Sequence, residues 1–359
     1  MVVTLITSIS FRCWHFKAVS TARAPVQTLP RFPPQGRPRI ERSFQDAFSV
    51  LCTHWLVYKT DKIGALAAEG KTMATIRAGL IGAEIQGSRS PAMHMHEGRE
   101  TGLSYSYELI DTAKRGLGPE DLPDLLDDAE RRGFSGLNIT HPFKQRVLPL
   151  LTALSDDARA IGAVNTVVFS KGQRIGHNTD WWGFLEAFKL GLPNADYTSV
   201  VQLGAGGAGA ATAFGMLRLG TRRLTIFDTN ESRATALASD MQKLFPDSMV
   251  EPGLDLSATL ALAQGIVHAT PTGMVEHPGL PLPAAFLDPR LWIAEVVYFP
   301  LKTALLQEAS SRGCRTLNGG GMAVFQAAEA FRLFTGRKPD ANRMLSHFRS
   351  MTEEDQVRD

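Results

Sequence analysis

The sequence predicts an α/β protein with two domains. From Ile76 onward, short apolar segments that read as strands alternate with segments of helical periodicity, and this alternation implies parallel sheets covered by helices. A glycine-rich turn at residues 204–209 stands between an apolar strand and a helix. The chain has 359 residues, of which 44% are hydrophobic, so it is long enough to bury two cores. We place the first domain at residues 73–178 and the second at residues 180–315.

Within the first domain, the apolar strand Phe134–Ile139 turns through Pro142 into an expected helix. Lys144 would then lie in the first helical turn, at the carboxyl end of a strand, where open α/β sheets bind ligands. The positive end of a helix dipole lowers the pKa of a nearby lysine, whereas a carboxylate such as Asp180 would hold the ammonium and share a proton with it. Such a pair is suited to proton transfer with an alcohol or carbonyl. The alternative is two surface charges on separate loops.

The glycine-rich turn gives a second, independent signal. The apolar run Val200–Leu203 leads into Gly204, and residues 210–219 read as a helix. Glycines permit a tight turn and close approach of the backbone to a pyrophosphate, whose charge the free amides of the new helix receive. The next strand ends at Asp228, 24 residues beyond Gly204, near the spacing expected for an acid that binds the adenosine ribose. The pattern predicts a dinucleotide site; the alternative is a packing turn without nucleotide.

Asp228 also indicates which dinucleotide binds. A carboxylate at the tip of the strand accepts hydrogen bonds from both ribose hydroxyls and repels a 2′-phosphate. The segment Thr229–Ser232 adds a negative charge rather than a phosphate clamp, and the nearby cation Arg233 could stack on adenine. The sequence therefore favours NAD over NADP.

Further motifs follow one another along the chain. They are Gly79–Gly82 with Ser88–His94, Gly136–Lys144, Gly162–Thr166, Gly176–Asp180, the glycine-rich turn, Ala269–Met274, Val296–Tyr298, and Gly319–Met322 with Gln326-Ala327. In this order they make the chain similar to the shikimate/quinate dehydrogenase family over roughly residues 76–350. The resemblance implies a substrate domain, a Rossmann-like dinucleotide domain, and C-terminal helices (residues 316–350) that return to complete the first domain.

The resemblance also implies a site, position by position. Lys144 and Asp180 would be the catalytic pair. The substrate-binding residues would be Ser88 and Ser90 at the carboxylate, Tyr298 near it, and Asn138, Thr140, Asn165 and Gln326 at the ring hydroxyls. The dinucleotide would contact Gly204, Gly206, Gly207, Ala208, Asp228, Arg233, Thr270 and Gly319. Short polar side chains suit a polyhydroxylated acid, and no basic cluster marks a phosphorylated substrate.

The implied reaction interconverts shikimate and 3-dehydroshikimate, quinate and 3-dehydroquinate, or both, by hydride transfer with acid–base assistance. Ser90 favours shikimate, because members that oxidise quinate well often carry a different small residue there. Asp228 favours an NAD enzyme of the broader type, used in catabolism, since biosynthetic members usually read NADP. Two alternatives stay open: a relative acting on an aminated shikimate analogue, and a dinucleotide-binding sensor without turnover.

Two residues depart from the usual pattern of the family. His268 stands where asparagine is usual before Ala-Thr-Pro, which predicts an altered backbone cap. Glu295 replaces the usual aspartate, which predicts a shift of the loop that carries Tyr298.

The charge distribution separates residues 1–72 from the rest. This leader carries 10 Lys/Arg and 4 Asp/Glu, a net charge of +6, whereas residues 73–359 carry 28 and 32, a net charge of −4. An acid-poor, Arg-containing N-terminus resembles a transit peptide. Purine-rich codons for residues 69–71, just before Met73, would instead resemble a bacterial ribosome-binding site, so we favour a false start. The basic excess lies in this leader and forms no motif, so no nucleic-acid partner is expected.

Other classes of site and partner find little support. No apolar run reaches 18 residues, so no membrane partner is expected. Three cysteines without metal spacing agree with a reducing, cytoplasmic compartment. His94 and His96 lack further ligands, so we expect solvated histidines rather than a metal site. The sequence is silent on oligomeric state.

Overall fold

A computed structural model describes residues 75–358, which lie within one compact unit. The leader, residues 1–72, and both interpretations of it lie outside the described residues. The described chain contains two six-stranded sheets. The predicted range 73–178 includes every strand of the first sheet, whereas the range 180–315 ends inside the last strand of the second. No helix within residues 75–358 is long and apolar enough to cross a membrane.

The first sheet is mixed, so the expectation of parallel sheets is wrong for this half of the fold. Its strands are β1 (Ile76–Gly82), β2 (Tyr105–Asp111), β3 (Gly136–Ile139), β4 (Ala153–Leu154), β5 (Thr166–Ser170) and β6 (Gln173–His177). They lie in the order β2-β1-β3-β5-β6-β4, with β5 antiparallel to both β3 and β6. The turn between β5 and β6 is the cause: Lys171 and Gly172 have φ of 52° and 74°, and two central residues with positive φ characterise the tight hairpin turn that joins antiparallel strands.

Within the described residues, four α-helices accompany this sheet. They are α1 (Ser90–Glu100), α2 (Thr112–Arg115), α3 (Leu122–Arg131) and α4 (Asp156–Ile161). Helix α3 packs through an apolar stripe, because Leu122, Leu126 and Ala129 recur at helical spacing and are buried in one cluster with Leu137 of β3.

The second sheet is parallel throughout, as the sequence predicts. Its strands are β7 (Ser199–Leu203), β8 (Arg223–Phe227), β9 (Met249–Pro252), β10 (Gly265–His268), β11 (Trp292–Glu295) and β12 (Arg315–Leu317). Their order is β12-β11-β10-β7-β8-β9, so the chain proceeds outward from the centre in both directions. The switch point between β7 and β10 opens a crevice at the carboxyl ends of the strands, where such sheets bind ligands.

Five helices accompany the second sheet: α5 (Asp180–Gly191), α6 (Gly207–Leu219), α7 (Glu231–Leu244), α8 (Leu256–Leu260) and α9 (Ala304–Ser311). The helix predicted at residues 210–219 begins three residues earlier, at Gly207. Its small residues, among them Ala211 and Ala213, are fully buried, which lets α6 lie close to the sheet.

The chain ends in two helices, α10 (Gly320–Thr335) and α11 (Ala341–Arg358). Helix α10 packs against α5 and also contacts α1, β1 and β5, so the implied return to the first half of the fold is confirmed. Gly183 permits the close crossing of α5 and α10, because a Cβ there would lie 2.7 Å from the backbone nitrogen of Gln326.

An ion pair fastens α11 to α1. Glu97 on α1 is 0% exposed, and its two carboxylate oxygens accept hydrogen bonds of 2.7 and 2.9 Å from the guanidinium of Arg343. The backbone N–H of Asp340 donates to the same carboxylate at 2.9 Å. These donors satisfy the hydrogen-bonding capacity of the buried carboxylate and balance its charge. Without the guanidinium, Glu97 would be a buried negative charge with no cationic partner.

Lys144 lies in a turn and not in a helix, so the prediction of a helix there is wrong. After β3 the chain passes a cis peptide bond at His141–Pro142, and the backbone N–H of Phe143 donates to the carbonyl of Thr140. The carbonyl of Lys144 accepts from the N–H of Val164 at 2.8 Å instead of from a residue one helical turn ahead. The expected dipole of a helix beginning at Pro142 is therefore absent at Lys144.

His94 is fully buried, so the prediction of a solvated side chain is wrong for this residue. Its ring packs 4.6 Å from that of Tyr107, its Nδ1 lies 3.0 Å from the hydroxyl of Tyr105, and burial lowers its pKa to about 3. Helix α1 is covered on this side by α10, which a pattern on α1 alone does not reveal. His96 is half-buried and stacks on His347 at 4.0 Å. Within residues 75–358 no group of three possible ligands could hold a metal ion.

The loop between β1 and α1 is held by Asp111 at the end of β2. Its carboxylate accepts hydrogen bonds from the backbone N–H groups of Glu84 and Ile85, each at 3.1 Å, and from the side chain of Gln86 at 2.9 Å. Burial alone would raise the pKa of Asp111, but these hydrogen bonds and that from the N–H of Lys114 hold the pKa below the usual 3.8. The loop that leads to Ser88 is thus fixed by a carboxylate.

Replacing Arg343 with alanine should lower the free energy of unfolding by about 3–5 kcal/mol, because Glu97 would remain buried without its partner. Urea unfolding of the purified protein measures this. Arg332→Ala is the matched control, since its pair with Glu329 is 47% and 23% exposed and such a pair contributes at most about 1 kcal/mol. Equal losses in the two variants would contradict the role given to the buried pair.

Asp111 should also make stability depend on pH. Since its pKa is lower in the folded state, its contribution is complete above the unfolded-state value of about 3.9 and is lost as the pH falls through the folded-state pKa. The difference in unfolding free energy between wild type and Asp111→Asn should therefore shrink on acidification from about pH 6 to about pH 3. Asp240→Asn, on an exposed stretch of α7, controls for simple loss of a charge. A difference that is constant with pH would contradict the account.

Candidate active site

Lys144 and Asp180 lie side by side, with 2.6 Å between Nζ and Oδ2. Lys144 is in the turn after β3, and Asp180 is the first residue of α5, directly after β6. The two side chains are 21% and 9% exposed, so the pair is shielded from bulk water yet open to a cleft. The structure therefore brings together the two residues that the sequence singles out, and it does not support separate surface charges.

Asn165 fixes the orientation of Asp180. Its amide nitrogen donates to Oδ1 of Asp180 at 2.8 Å and to the hydroxyl of Thr179 at 2.9 Å, and its amide oxygen accepts from the backbone N–H of Thr179 at 2.7 Å. The hydroxyl of Thr166 also donates to that oxygen. With both N–H groups committed to the protein, Asn165 holds the carboxylate of Asp180 in place, and its contact with substrate stays a prediction.

Asn138 continues this network toward β2. Its amide nitrogen donates to the hydroxyl of Thr166 at 3.0 Å, and its amide oxygen accepts from the hydroxyl of Tyr107 at 2.7 Å. Burial, with the nearby Tyr105 contributing, raises the pKa of Tyr107 well above its usual range, so the phenol is a permanent donor. Sequence reasoning missed Tyr107, because an aromatic residue in an alternating strand is typical of core packing.

The two predicted carboxylate-binding serines stand at the start of α1. The hydroxyl of Ser88 accepts from the backbone N–H of Ser90 at 3.3 Å. Both serines are half-buried. The nearby hydroxyl of Ser90 opposes the rise in the pKa of Tyr107, so Ser90 lies close to the phenol that donates to Asn138.

Tyr298 and Gln326 border the same cleft. Tyr298 follows β11 and is 38% exposed. Desolvation raises its pKa, the nearby negative charge of Asp180 adds to this, and the positive charge of Arg89 opposes it. Gln326 projects from α10 where α5 crosses it, and its amide nitrogen donates to the carbonyl of Ala323 at 2.9 Å.

The glycine-rich turn lies next to Lys144. An idealised Cβ on Gly207 would lie only 3.6 Å from Cδ of Lys144. Since Gly207 opens α6 and Lys144 follows β3, the edges of the two sheets share one cleft at this point. A molecule bound at the start of α6 would therefore contact the region of the acid–base pair.

The shape of this turn requires glycine and a buried amide. Gly204 has φ of 104°, and a Cβ there would lie 2.6 Å from the carbonyl oxygen of Ala269. The amide nitrogen of Gln202 donates at 2.9 Å to the carbonyls of both Gly204 and Gly209, and its oxygen accepts from Thr212 at 2.9 Å. Sequence reasoning missed Gln202, although a polar residue inside an apolar strand was a usable signal.

Asp228 lies at the tip of β8, against the turn. One carboxylate oxygen accepts from the backbone N–H of Ala205 at 2.7 Å, and the other accepts from that of Asn230 at 2.8 Å. Arg233 is exposed on the first turn of α7. Oxygens fixed in this way retain lone pairs for further donors, which suits a pair of ribose hydroxyls.

The remaining predicted contacts lie around the same crevice. Gly206 precedes α6 with open space where a Cβ would stand, and no side chain caps the first amides of that helix. Ala208 is half-buried in the first turn of α6, Gly319 abuts the carbonyl of Val296, and Thr140 follows β3. The uncapped amides at the start of α6 are donors for an anionic group, and the glycine backbone leaves room for that group to approach. Together with the acceptor oxygens of Asp228, they fit an anionic dinucleotide.

The two residues that depart from the family pattern contact each other. Nδ1 of His268 lies 2.8 Å from Oε1 of Glu295, and both side chains are 0% exposed. They stand opposite one another in the register of β10 and β11. Glu295 is thus paired within the core below the loop that carries Tyr298.

Comparison with known proteins agrees with this architecture. Residues 80–167 match the shikimate dehydrogenase substrate binding domain, and residues 319–346 match the shikimate 5′-dehydrogenase C-terminal domain. A shikimate dehydrogenase (NADP(+)) of Streptomyces avermitilis is 53% identical over 77% of this chain and 95% of its own length. A quinate/shikimate dehydrogenase (NAD(+)) of Corynebacterium efficiens is 46% identical over 77% of this chain and 99% of its own length.

Solved structures give the same result. A quinate dehydrogenase from Corynebacterium glutamicum in complex with NAD superimposes with a TM-score of 0.71 at 45% identity, covering 77% of this chain and 99% of that one. A shikimate dehydrogenase in complex with NADP+ superimposes with a TM-score of 0.71 at 31% identity, covering 80% and 99%. The adjoining acid–base pair and glycine-rich turn therefore belong to a nicotinamide-dependent oxidoreductase, and the chain is a member of the shikimate/quinate dehydrogenase family.

Proposed function

We propose that this chain is an NAD-dependent dehydrogenase that oxidises the ring hydroxyl of shikimate, quinate or both, with Lys144 and Asp180 as its acid–base pair. The observation that carries the proposal is the bonded pair, 2.6 Å apart, beside the glycine at the start of α6. A dinucleotide seated on that helix and a substrate seated at the pair would be neighbours. The relatives support the activity, and their names divide between NAD and NADP.

The chain's own residues account for binding and proton transfer. Ser88 and Ser90 receive the substrate carboxylate, and the carboxylate of Asp180, held by Asn165, orients the hydroxyl and the lysine. When bound, the dinucleotide supplies the hydride acceptor. As the C–H bond breaks, the hydroxyl becomes more acidic, and its proton passes to the amine of Lys144. In the reverse direction Lys144 returns the proton to the carbonyl oxygen.

The preference for NAD rests on Asp228. Its carboxylate is fixed by the N–H groups of Ala205 and Asn230, so it does not rotate freely away from the turn. A 2′-phosphate at that position would be repelled by the carboxylate of Asp228, whose partners in the described part of the chain are backbone N–H groups and not a cation. Two ribose hydroxyls would instead donate hydrogen bonds to this carboxylate. Arg233, the nearby cation, is exposed on the first turn of α7.

Ser90 bears on the choice of substrate. The hydroxyl of Ser90 lies close to Tyr107, whose own proton goes to Asn138. Shikimate is the less bulky acid at its carboxylate-bearing carbon, because that carbon is part of the ring double bond and lacks the hydroxyl of quinate. This suits a small side chain that receives the carboxylate. The proposal therefore includes shikimate as the better substrate, within an enzyme that also accepts quinate.

Lys144→Ala should lower kcat by about 10² to 10⁴, because it removes the group that exchanges the proton. Steady-state reduction of NAD in the presence of shikimate measures this, with thermal unfolding as the check on folding. Lys338→Ala, an exposed lysine outside the cleft, is the control and should keep wild-type turnover. Normal turnover in Lys144→Ala would remove the lysine from the mechanism.

Asp228→Asn should shift the ratio of kcat/KM for NAD over NADP toward NADP by about 10- to 100-fold, because it relieves the repulsion of a 2′-phosphate. The matched control is Glu231→Gln, which removes one negative charge on the exposed start of α7 and should change the ratio little. Parallel titrations of both dinucleotides give the ratio. A similar shift in the two variants would mean that general charge, and not Asp228, sets the preference.

A further inference from the structure

A polar chain lies under the loop that borders the glycine-rich turn. Both oxygens of Glu295 are occupied, one by Nδ1 of His268 at 2.8 Å and the other by the hydroxyl of Thr303. Nε2 of His268 lies 2.5 Å from the hydroxyl of Thr270. Four side chains from β10, β11 and the segments that follow them are thus joined in one line. Glu295, His268 and Thr303 are buried, and Thr270 stands at the end that reaches the cleft.

Hydrogen bonds hold the Thr270 end of this polar chain on two sides. The carboxylate of Glu295 accepts only, so Nδ1 of His268 carries a proton. Nε2 of His268 shares the next hydrogen bond with the hydroxyl of Thr270, which donates to a neutral ring and accepts from a protonated one. The oxygen of Thr270 also accepts from the backbone N–H of Thr272 at 3.2 Å. The hydroxyl of Thr270 is therefore held between His268 and Thr272.

Thr270 lies against the dinucleotide turn. An idealised Cβ on Gly204 would be 2.9 Å from Cγ2 of Thr270 and 2.6 Å from the carbonyl oxygen of Ala269. Gly204 therefore packs against Thr270, with no room for a side chain between them. The orientation of Thr270 and the shape of the turn are mechanically linked.

Core packing alone does not account for the pair. Removing a carboxylate and an imidazole from water is costly, and apolar residues of similar volume usually fill such a position with equal or better stability. Polar groups in such a place gain most where they impose one particular geometry. Of the four linked side chains, Thr270 alone is not buried. The geometry that these hydrogen bonds impose is therefore that of the loop beside the glycine-rich turn.

We propose that His268, held by Glu295, is a positioning residue that fixes the hydroxyl and backbone of Thr270 and thereby sets the affinity for the dinucleotide. This rests on the proposed function, in which Thr270 borders the bound dinucleotide. His268 touches neither substrate nor dinucleotide and acts through Thr270.

A double-mutant cycle on the dissociation constant for NAD tests the proposal, with binding measured by calorimetry on the full chain. Thr270→Val and His268→Gln should each weaken binding about 5- to 30-fold, the effect of losing one buried hydrogen bond. The double variant should bind NAD no more weakly than Thr270→Val alone, because both changes remove the same hydrogen bond between His268 and Thr270. Thr270→Ser keeps the hydroxyl and should bind NAD nearly as wild type does.

Thr221→Val is the control for loss of a buried hydroxyl, because Oγ1 of Thr221 has no partner within the described residues and lies away from the cleft. Effects that multiply in the double variant would overturn the proposal, as would a His268→Gln variant that melts lower but binds NAD as tightly as wild type. If His268→Gln does not fold, Glu295→Gln takes its place in the cycle. A wild-type protein that binds no dinucleotide would instead overturn the proposed function itself.

Discussion

The hydrogen bond between Lys144 and Asp180 is the contact on which the site depends, because it joins parts of the chain that have different scaffolds. Lys144 lies in the turn after β3, and its backbone carbonyl accepts a hydrogen bond from the N–H of Val164. Asp180 lies at the start of α5. Asn165 then commits its amide to Asp180, and the same helix crosses α10 at Gly183. The acid–base pair is therefore rigid before any ligand arrives, which is what proton transfer at a defined atom requires.

A polar network supports this pair. It extends from Tyr107 through Asn138 and Thr166 to Asn165, which donates to Asp180. A second, separate chain from Glu295 through His268 stands under the dinucleotide turn. The fold thus holds the residues around Asp180 and the loop beside Gly204 with two separate sets of polar groups.

The sequence predicted the second sheet and its turn well, because parallel strands, a glycine-rich turn and a following helix are all encoded locally in residues 199–219. It predicted the meeting of Lys144 with Asp180 through motifs rather than through local pattern. Two predictions were wrong because residues distant in sequence determine the local structure. The N–H of Val164 donates to the carbonyl of Lys144, where a helix was predicted, and α10 buries His94, which was predicted to be solvated. Tyr107 was missed for the same reason, since its function depends on Asn138, which lies on another strand.

The central claim is that the acid–base pair and the glycine-rich turn form one NAD-dependent site for a cyclic hydroxy acid. Its most direct test is the absorbance of reduced nicotinamide in four mixtures of purified protein, with NAD or NADP and with shikimate or quinate. The account predicts reduction of NAD with shikimate, slower reduction with quinate, and much less reduction of NADP. Folded protein that binds NAD yet reduces neither dinucleotide with either acid would contradict it.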